Sequence, residues 1–202
     1  MNCLPSKAVF LDRDGVVNQK APEGDYIRSW QEIQFLPGAA TAVASLNRAG
    51  YKVFVVTNQR GIATRKVKTS DLLEIHRRIQ REFAQHDAVI TQIYYCPHDL
   101  PAHCCCRKPQ PGMLQQAARE HNLDLRTSWM VGDSITDVKA GENAGCRTIL
   151  LALDRSRKLL STQVLIAESL ESAVPLMLNG DDFPKPVRAN ATGRILIQES
   201  FL

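Results

Sequence analysis

The sequence predicts an α/β fold in which helices cover both faces of one parallel β-sheet. Short apolar runs rich in β-branched residues alternate along the chain with segments whose apolar residues recur at the helical period. Strands that alternate with helices are joined by crossover connections, which make neighbouring strands parallel. The chain has 202 residues, of which 44% are hydrophobic and 23% charged. This length and composition suit a single domain with a substantial core.

Each element of this fold has its own local signal. Apolar runs of strand length predict six strands at residues 8–11, 52–57, 88–95, 128–131, 148–151 and 164–166. Helical periodicity predicts five helices at residues 39–49, 70–85, 112–121, 136–144 and 169–178. The expected architecture is therefore a three-layer, Rossmann-like α/β domain over residues 1–180. Residues 181–202 form a Pro-interrupted tail for which the pattern assigns no structure.

Net charge and the lengths of the apolar runs limit the classes of function that the chain can have. The net charge is +4 and the isoelectric point is near 8.8, an excess too weak to predict nucleic-acid binding. No run reaches the ~18 apolar residues of a membrane span, and the N-terminus lacks the pattern of a signal peptide. We therefore expect a cytoplasmic monomer that acts on a small anionic molecule, with no nucleic-acid or membrane partner. His76, His86 and His121 lack the spacing of metal ligands and are expected at the surface.

Acidic and polar side chains follow four of the predicted strands. Asp12 and Asp14 follow the first, Thr57 ends the second, Lys108 comes after the third, and Asp133 follows the fourth. The carboxyl ends of parallel strands meet at one edge of a sheet, so these side chains should converge there. Carboxylates crowded into one crevice repel each other unless a cation offsets their charge. Mg²⁺, which prefers carboxylates, waters and phosphate oxygens, is the expected ion.

This ordered set of residues resembles the haloacid dehalogenase superfamily of phosphatases. The resemblance implies that Asp12 attacks phosphorus and that Asp14 is the general acid and base. It also implies that Thr57 and Lys108 stabilise the transferring phosphoryl group. Asp12, Asp14 and Asp133 would then hold Mg²⁺. Asp137, one helical turn after Asp133, would bind the ion or orient one of its waters.

A cysteine-rich segment at residues 96–106 predicts a second metal site. Its C-x-H and C-x-C motifs offer three thiolates and an imidazole, a donor set that suits a closed tetrahedral Zn²⁺ site of structural function. The predicted ligands are Cys96, His98, Cys104 and Cys106. Cys105 and His103 remain spare because adjacent residues rarely reach the same ion. The alternative is a loop of free thiols without a metal.

The same segment narrows the resemblance to the branch of the superfamily that contains heptose-bisphosphate phosphatases and histidinol-phosphate phosphatases. The residues that carry it include Tyr94-Tyr95-Cys96-Pro97-His98 and Cys106-Arg107-Lys108-Pro109. The resemblance implies that Asn58, Gln59 and Arg107 touch the substrate and that Arg107 clamps a second phosphate. It therefore favours removal of the C7 phosphate of a heptose 1,7-bisphosphate, a step in the synthesis of surface-polysaccharide precursors.

Two positions depart from that pattern. Ser134 stands where the family often has Lys, and Arg60 replaces a small residue, so these positions bear on the choice of substrate and not on the reaction. The alternatives are a histidinol-phosphate phosphatase, another small sugar phosphatase, or an inactive zinc-bearing interaction module. The chain is also too short between Asp14 and Thr57, and between Thr57 and Lys108, for a folded cap domain. We expect an open site with only a minimal cap of loops.

Overall fold

The computed structural model describes residues 4–152 and 164–179 of the chain. The strands are β1 (Ala8–Leu11), β2 (Lys52–Asn58), β3 (Ile90–Cys96), β4 (Trp129–Gly132), β5 (Arg147–Leu151) and β6 (Val164–Ala167). The helices are α1 (Ala39–Arg48), α2 (Thr69–Ala84), α3 (Gly112–His121), α4 (Ile135–Ala144) and α5 (Leu170–Leu178). The predicted order and type of these elements are confirmed. The whole tail at 181–202, with its predicted boundary at residue 180, lies outside the described residues.

The six strands form one parallel sheet in the order β3-β2-β1-β4-β5-β6. β1 lies between β2 and β4, so the strand order reverses beside it. In open sheets of this kind the crevice beyond that reversal is where ligands bind. The four residues of β1 are fully buried, as expected for a central strand of a parallel sheet.

Two apolar layers cover the faces of the sheet. On one face, α1, α2 and α5 pack against alternate strand residues such as Val9, Val55 and Ile149. On the other face, α3 and α4 pack against Phe10 and Phe54, whose rings stack at 5.5 Å. This three-layer arrangement confirms the predicted fold class. It fixes the carboxyl edge of the sheet as the place where polar loops converge.

No helix among the described residues combines the length and apolar character needed to cross a membrane.

Candidate active site

The candidate active site lies at the carboxyl edge of the sheet, where β1 and β4 end side by side. The backbone N–H of Asp12 donates to the carbonyl of Val131 at 3.0 Å, which holds the start of the Asp12–Gly15 loop against β4. Gly15 has φ of 92°. A Cβ at this position would lie 1.8 Å from Asp133 Oδ2, so a side chain there would displace the carboxylate.

Lys108 joins two of the predicted acids in a buried cluster. Its Nζ lies 2.8 Å from Asp12 Oδ1 and 2.6 Å from Asp137 Oδ1. It also donates to the carbonyl of Val56 at 2.8 Å. The Lys108 side chain is only 2% exposed. A buried ammonium group loses its hydrating water, and these three oxygens take the place of that water. The Lys108 ammonium group is therefore held in one fixed position beside Asp12.

The charges in this cluster do not balance, because two carboxylates share one ammonium group. Burial raises the pKa of Asp12 to about 7, since desolvation and the nearby Asp137 outweigh the attraction of Lys108. The pKa of Lys108 is also raised, because Asp12 and Asp137 more than offset the effect of burial. The cluster thus retains negative charge that a bound cation would neutralise.

Asp133 adds a third carboxylate to this edge of the sheet. Its Oδ2 pairs with Lys20 Nζ at 2.6 Å, whereas its buried Oδ1 has no hydrogen-bond partner among the described residues. Burial raises the pKa of this carboxyl group as well. Oxygens of Asp12, Asp133 and Asp137 all lie within 4.8 Å of one another. An unpartnered buried oxygen in a set of hard oxygen donors fits a cation such as Mg²⁺.

The Asp14 carboxylate lies outside the group of Asp12, Asp133 and Asp137 oxygens, and the expectation that Asp14 contributes to the Mg²⁺ site stays a prediction. Arg13 donates to it through Nε (3.0 Å) and Nη2 (2.9 Å). Asn18 Nδ2 donates to Oδ1 at 2.9 Å, and Gln59 Nε2 donates to Oδ2 at 3.2 Å. The buried Arg13 needs a counter-charge, and Asp14 supplies it.

Asp137 is engaged mainly by the protein itself. Besides the ion pair with Lys108, its Oδ2 accepts from the backbone N–H of Ser134 at 3.0 Å and from Ser134 Oγ at 2.5 Å. These contacts form a capping box at the start of α4. Ser134, which stands where the family often has Lys, therefore caps a helix. Asp137 anchors Lys108, and its expected part in binding the ion or orienting a metal water stays a prediction.

The polar residues that end β2 also make internal contacts. Thr57 is buried, and its Oγ1 accepts from Gln59 Nε2 at 2.9 Å. The Asn58 amide pairs with the backbone of Lys108 through two hydrogen bonds of 3.1 Å. The sequence predicted that Asn58 and Gln59 touch the substrate. In the structure their amide groups hold Lys108 and Asp14, and Asn58 also borders a cavity. The contact with substrate stays a prediction.

Three thiols and one imidazole converge in the segment that precedes Lys108. Cys96 Sγ lies 3.5 Å from His98 Nδ1 and 3.6 Å from Cys104 Sγ. Cys106 Sγ lies 3.2 Å from His98 Nδ1 and 3.5 Å from Cys104 Sγ. Tetrahedral zinc with the usual bond lengths would separate two sulfurs by about 3.8 Å and a sulfur from a nitrogen by about 3.5 Å. The four predicted ligands are thus close to that geometry, while Cys105 is exposed.

Thiol pKa values differ within this cluster. Burial raises the pKa of Cys96. Burial also acts to raise that of Cys104, but hydrogen bonds from the Arg107 backbone and from the neighbouring thiols outweigh it and lower the pKa to about 7. A thiolate is therefore accessible at neutral pH, as a metal ligand requires.

A cavity of about 620 Å³ opens beside Lys108 and the thiol cluster. Its wall includes Arg107, whose Nη1 donates to the carbonyl of His98 at 3.3 Å. Asp99 also lines the cavity and pairs with Arg60 at 2.5 Å. Arg60, the second residue that departs from the family pattern, thus ties the loop after β2 to the segment around the thiols. Arg107 is the predicted substrate contact that faces open space.

Sequence analysis missed three residues of the site. Arg13 and Asn18 are fully buried and hold Asp14, and Lys20 pairs with Asp133. The expectation that His76 lies at the surface is wrong, because it is buried and its Nε2 lies 3.4 Å from Arg13 Nη1. Two signals in the sequence could have found these residues. Arg13 stands between two aspartates, which favours an ion pair, and His76 follows Ile75 on the apolar face of α2, which favours burial.

A parallel α/β domain with a buried aspartate and lysine and further acids at the carboxyl edge of its sheet defines the class of haloacid dehalogenase-like phosphatases. A family model described as HAD-hydrolase-like matches residues 105–173. A D-glycero-β-D-manno-heptose-1,7-bisphosphate 7-phosphatase of Bordetella bronchiseptica is 40% identical over 155 residues, which are 77% of this chain and 86% of that protein. A D-glycero-D-manno-heptose-1,7-bisphosphate 7-phosphatase of Thermosynechococcus vestitus is 39% identical and covers 85% of this chain and 95% of its own length.

Solved structures agree with these sequence relatives. The crystal structure of the D,D-heptose 1,7-bisphosphate phosphatase of B. bronchiseptica, complexed with magnesium and phosphate, matches with a TM-score of 0.78 and 36% identity. The match covers 86% of this chain and 99% of that one. The chain belongs to the haloacid dehalogenase-like phosphatases. The predictions of the superfamily and of an enzyme that hydrolyses phosphate monoesters are thereby confirmed.

Proposed function

We propose that this enzyme removes the C7 phosphate of D-glycero-D-manno-heptose 1,7-bisphosphate. The observation that carries the proposal is the cavity of about 620 Å³ beside Lys108, with Arg107 in its wall. A cavity of this size suits a sugar with two phosphates. The names of the relatives that cover most of this chain support the same substrate. The reaction would be a step in the synthesis of a surface-polysaccharide precursor.

Asp12 is the proposed nucleophile. Its Oδ1 accepts from Lys108 Nζ at 2.8 Å and from the backbone N–H of Arg13 at 2.7 Å, so we assign the attack on phosphorus to Oδ2. The attack forms an aspartyl phosphate and releases the sugar oxygen, which divides one difficult displacement into two easier steps. Lys108 would stabilise the charge on the phosphoryl oxygens, because its ammonium group is already fixed beside Asp12. The Thr57 hydroxyl would contact the same phosphoryl group.

Asp14 is the proposed general acid and base. It would give a proton to the departing sugar oxygen and later accept one from the water that cleaves the aspartyl phosphate. It lies two residues after Asp12 in the same loop, which lets one carboxyl group serve both half-reactions. Its contacts with Arg13, Asn18 and Gln59 hold it apart from the carboxylates that surround Lys108.

Asp12 and Asp133 would hold Mg²⁺, and the unpartnered Asp133 Oδ1 supports this assignment. When bound, the ion would neutralise carboxylate and phosphoryl charge at this edge of the sheet. Asp137 would act on the site through Lys108. The presence of magnesium and phosphate in the B. bronchiseptica structure supports the choice of ion.

Zn²⁺ is the proposed occupant of the Cys96, His98, Cys104 and Cys106 cluster. Four protein ligands would leave no open position, so the metal would stabilise the loop and take no part in the chemistry. Because thiols persist in reducing compartments, the same cluster supports the expectation that the enzyme acts in the cytoplasm.

Arg107 would bind the phosphate that is not cleaved. A guanidinium group can donate two parallel hydrogen bonds to one phosphate, which gives both affinity and orientation. Histidinol phosphate has a single phosphate and would leave this contact unused. The position of Arg107 in the cavity wall therefore favours the bisphosphate over the alternative substrate.

The test is phosphate release in the presence of Mg²⁺ from a small panel of substrates. The panel contains both anomers of the heptose bisphosphate, fructose 1,6-bisphosphate and histidinol phosphate. We expect a heptose bisphosphate to be preferred by at least ~100-fold in kcat/KM, which corresponds to about 2.7 kcal/mol. A preference for histidinol phosphate would instead assign the protein to the sister branch and remove the distal-phosphate role from Arg107.

A further inference from the structure

Arg13 is fully buried at the edge of the sheet and is not among the residues that line the cavity. Its guanidinium group donates to both oxygens of the adjacent Asp14, through Nε and Nη2 to Oδ1 and through Nη2 to Oδ2. A planar fork fixes both the position and the rotation of a carboxylate, which a single donor cannot do. Arg13 therefore determines how Asp14 presents its oxygens.

His76 supports Arg13 from the opposite side. It lies on the apolar face of α2, is 5% exposed, and its Nε2 is 3.4 Å from Arg13 Nη1. A guanidinium group has only donors, so His76 Nε2 must be the acceptor and the ring must be neutral. Burial, with the positive charge of Arg13, lowers the pKa of His76 to about 3, which agrees with a neutral ring at physiological pH. The Tyr95 ring packs edge-on to His76 at 5.8 Å.

The donors around Asp14 are distributed unequally between its two oxygens. Oδ1 receives Arg13 Nε, Arg13 Nη2 and Asn18 Nδ2. Oδ2 receives Arg13 Nη2 and Gln59 Nε2, and the Gln59 contact is the longest of the set at 3.2 Å. Each carboxylate oxygen has room for about two donors. Oδ1, with three donors, has no room for a proton, whereas Oδ2 has two donors and its long contact with Gln59 can give way to a proton.

We propose that Arg13, supported by His76, is a positioning residue that clamps Asp14 through Oδ1 and leaves Oδ2 to transfer the proton. The inference rests on the proposed function, because it deepens the role of Asp14 in that reaction. In the first step, the bond between phosphorus and the ester oxygen breaks while Asp12 bonds to phosphorus. The proton on Asp14 Oδ2 passes to the departing ester oxygen. In the second step, Oδ2 takes a proton from the water whose oxygen bonds to phosphorus, and Asp12 is released.

The experiment compares two substrates that differ in their need for a general acid. A simple alkyl phosphate has a poor leaving group that must receive a proton, whereas the leaving group of p-nitrophenyl phosphate departs without one. The quantity to compare is kcat/KM, which reports the steps up to departure of the leaving group. General acid catalysis contributes about 10²–10⁴-fold. We expect Arg13→Lys, which keeps the charge but loses the fork, to lower kcat/KM by about 100-fold for the alkyl phosphate and by less than about 3-fold for p-nitrophenyl phosphate.

His76 provides a second variant that does not alter the loop containing Asp12. His76→Gln retains an acceptor and should keep most of the activity, whereas His76→Leu removes the acceptor and should show the same selective loss as Arg13→Lys. Arg126→Lys, at an exposed arginine paired with Asp124, is the matched control and should leave both rates unchanged. Equal losses for the two substrates, or no loss in either, would overturn the clamp and leave Arg13 with a structural role only. Wild-type enzyme that cleaves the alkyl phosphate but no heptose bisphosphate would reject the proposed substrate and still permit this test.

Discussion

Mg²⁺ should raise the melting temperature of this protein by several degrees at pH 8 and by much less at pH 5. The reason is Asp12, whose pKa is raised to about 7 because burial and the neighbouring Asp137 outweigh Lys108. A carboxyl group must lose its proton before both of its oxygens can serve a cation. At pH 5, two units below that pKa, only about 1% of Asp12 is ionised. Proton and metal therefore compete for the same group.

The size of the effect follows from ligand linkage. A ligand stabilises the folded state by RT ln(1 + [L]/Kd), which is about 2.7 kcal/mol at a Mg²⁺ concentration about 100 times the Kd. If the Kd at pH 5 is about 100-fold larger because Asp12 is protonated, the same concentration contributes only about 0.4 kcal/mol. A chain of this size shifts by about 2–4 °C per kcal/mol. The expected shift is thus about 5–11 °C at pH 8 and less than about 2 °C at pH 5.

The metal-free protein should show the opposite trend with pH. The folded state binds the Asp12 proton more tightly than the unfolded chain, whose pKa is near the ordinary 3.8. Between these two pKa values the folded state holds more protons, so the free energy of unfolding falls as the pH rises from about 4 to about 7. Mg²⁺ removes this penalty by replacing the proton with a divalent charge. The two trends together indicate a buried carboxylate whose pKa is raised, and the Asp12→Asn variant distinguishes Asp12 from Asp133, whose pKa is also raised.

The assay is thermal unfolding at constant ionic strength, with and without Mg²⁺, at the two pH values. Asp12→Asn should lose most of the Mg²⁺-induced shift in melting temperature at pH 8. The small shift that remains should be the same at pH 5 and pH 8. Asp87→Asn, which alters an exposed carboxylate, should behave as the wild type does. A Mg²⁺-induced shift of the same size at pH 5 and pH 8 would refute the reasoning, because it would mean that Asp12 does not titrate against the metal.

Two further predictions concern the proposed nucleophile and the proposed zinc ligands. Asp12→Asn should lower kcat by at least about 10³-fold while the circular dichroism spectrum is retained, and a wild-type rate would reject Asp12 as the nucleophile. Cys106→Ser should lose bound zinc, measured by elemental analysis, and should unfold at a lower temperature, because metal binding contributes directly to folding. The matched control Cys105→Ser should keep its zinc. Unchanged zinc content in the Cys106 variant would transfer the ligand role to Cys105 or exclude the site.

The fold could be predicted from the sequence because its central strands are buried on both faces. β1 and β2 show continuous apolar runs, and such runs identify central strands of a parallel sheet without knowledge of their partners. The start of the third strand, predicted at residue 88, differs from the structure. Ala88 is fully buried but precedes β3, which begins at Ile90, because Asp87 adopts positive φ and the chain is still turning. Burial alone therefore did not define where a strand starts.

The location of the site could also be predicted, whereas the direction of its side chains could not. The acids after β1 and β4 had to converge, because the two strands are parallel neighbours. Whether Asp14 faces a metal or an arginine depends on the buried charge of Arg13, whose burial no local pattern revealed. The same holds for Asn58, whose amide pairs with the Lys108 backbone across 50 residues of sequence. Such pairings follow from packing and not from spacing along the chain.

The thiol cluster and the buried Lys108 are joined by a short, tightly packed stretch of backbone. A structural metal in the cluster would therefore affect activity through the position of Lys108. Cys106 lies two residues before Lys108, and the carbonyl of Cys105 accepts from the N–H of Gly112 at 3.0 Å. A Cβ at Gly112 would lie 2.3 Å from that carbonyl, so the loop is packed directly on the start of α3. Asn58 fixes the Lys108 backbone from the other side. The Lys108 ammonium group reaches Asp12 only while this backbone stays in place. Loss of a zinc ion from the cluster would therefore weaken the contact with Asp12, even though such an ion would take no part in the chemistry.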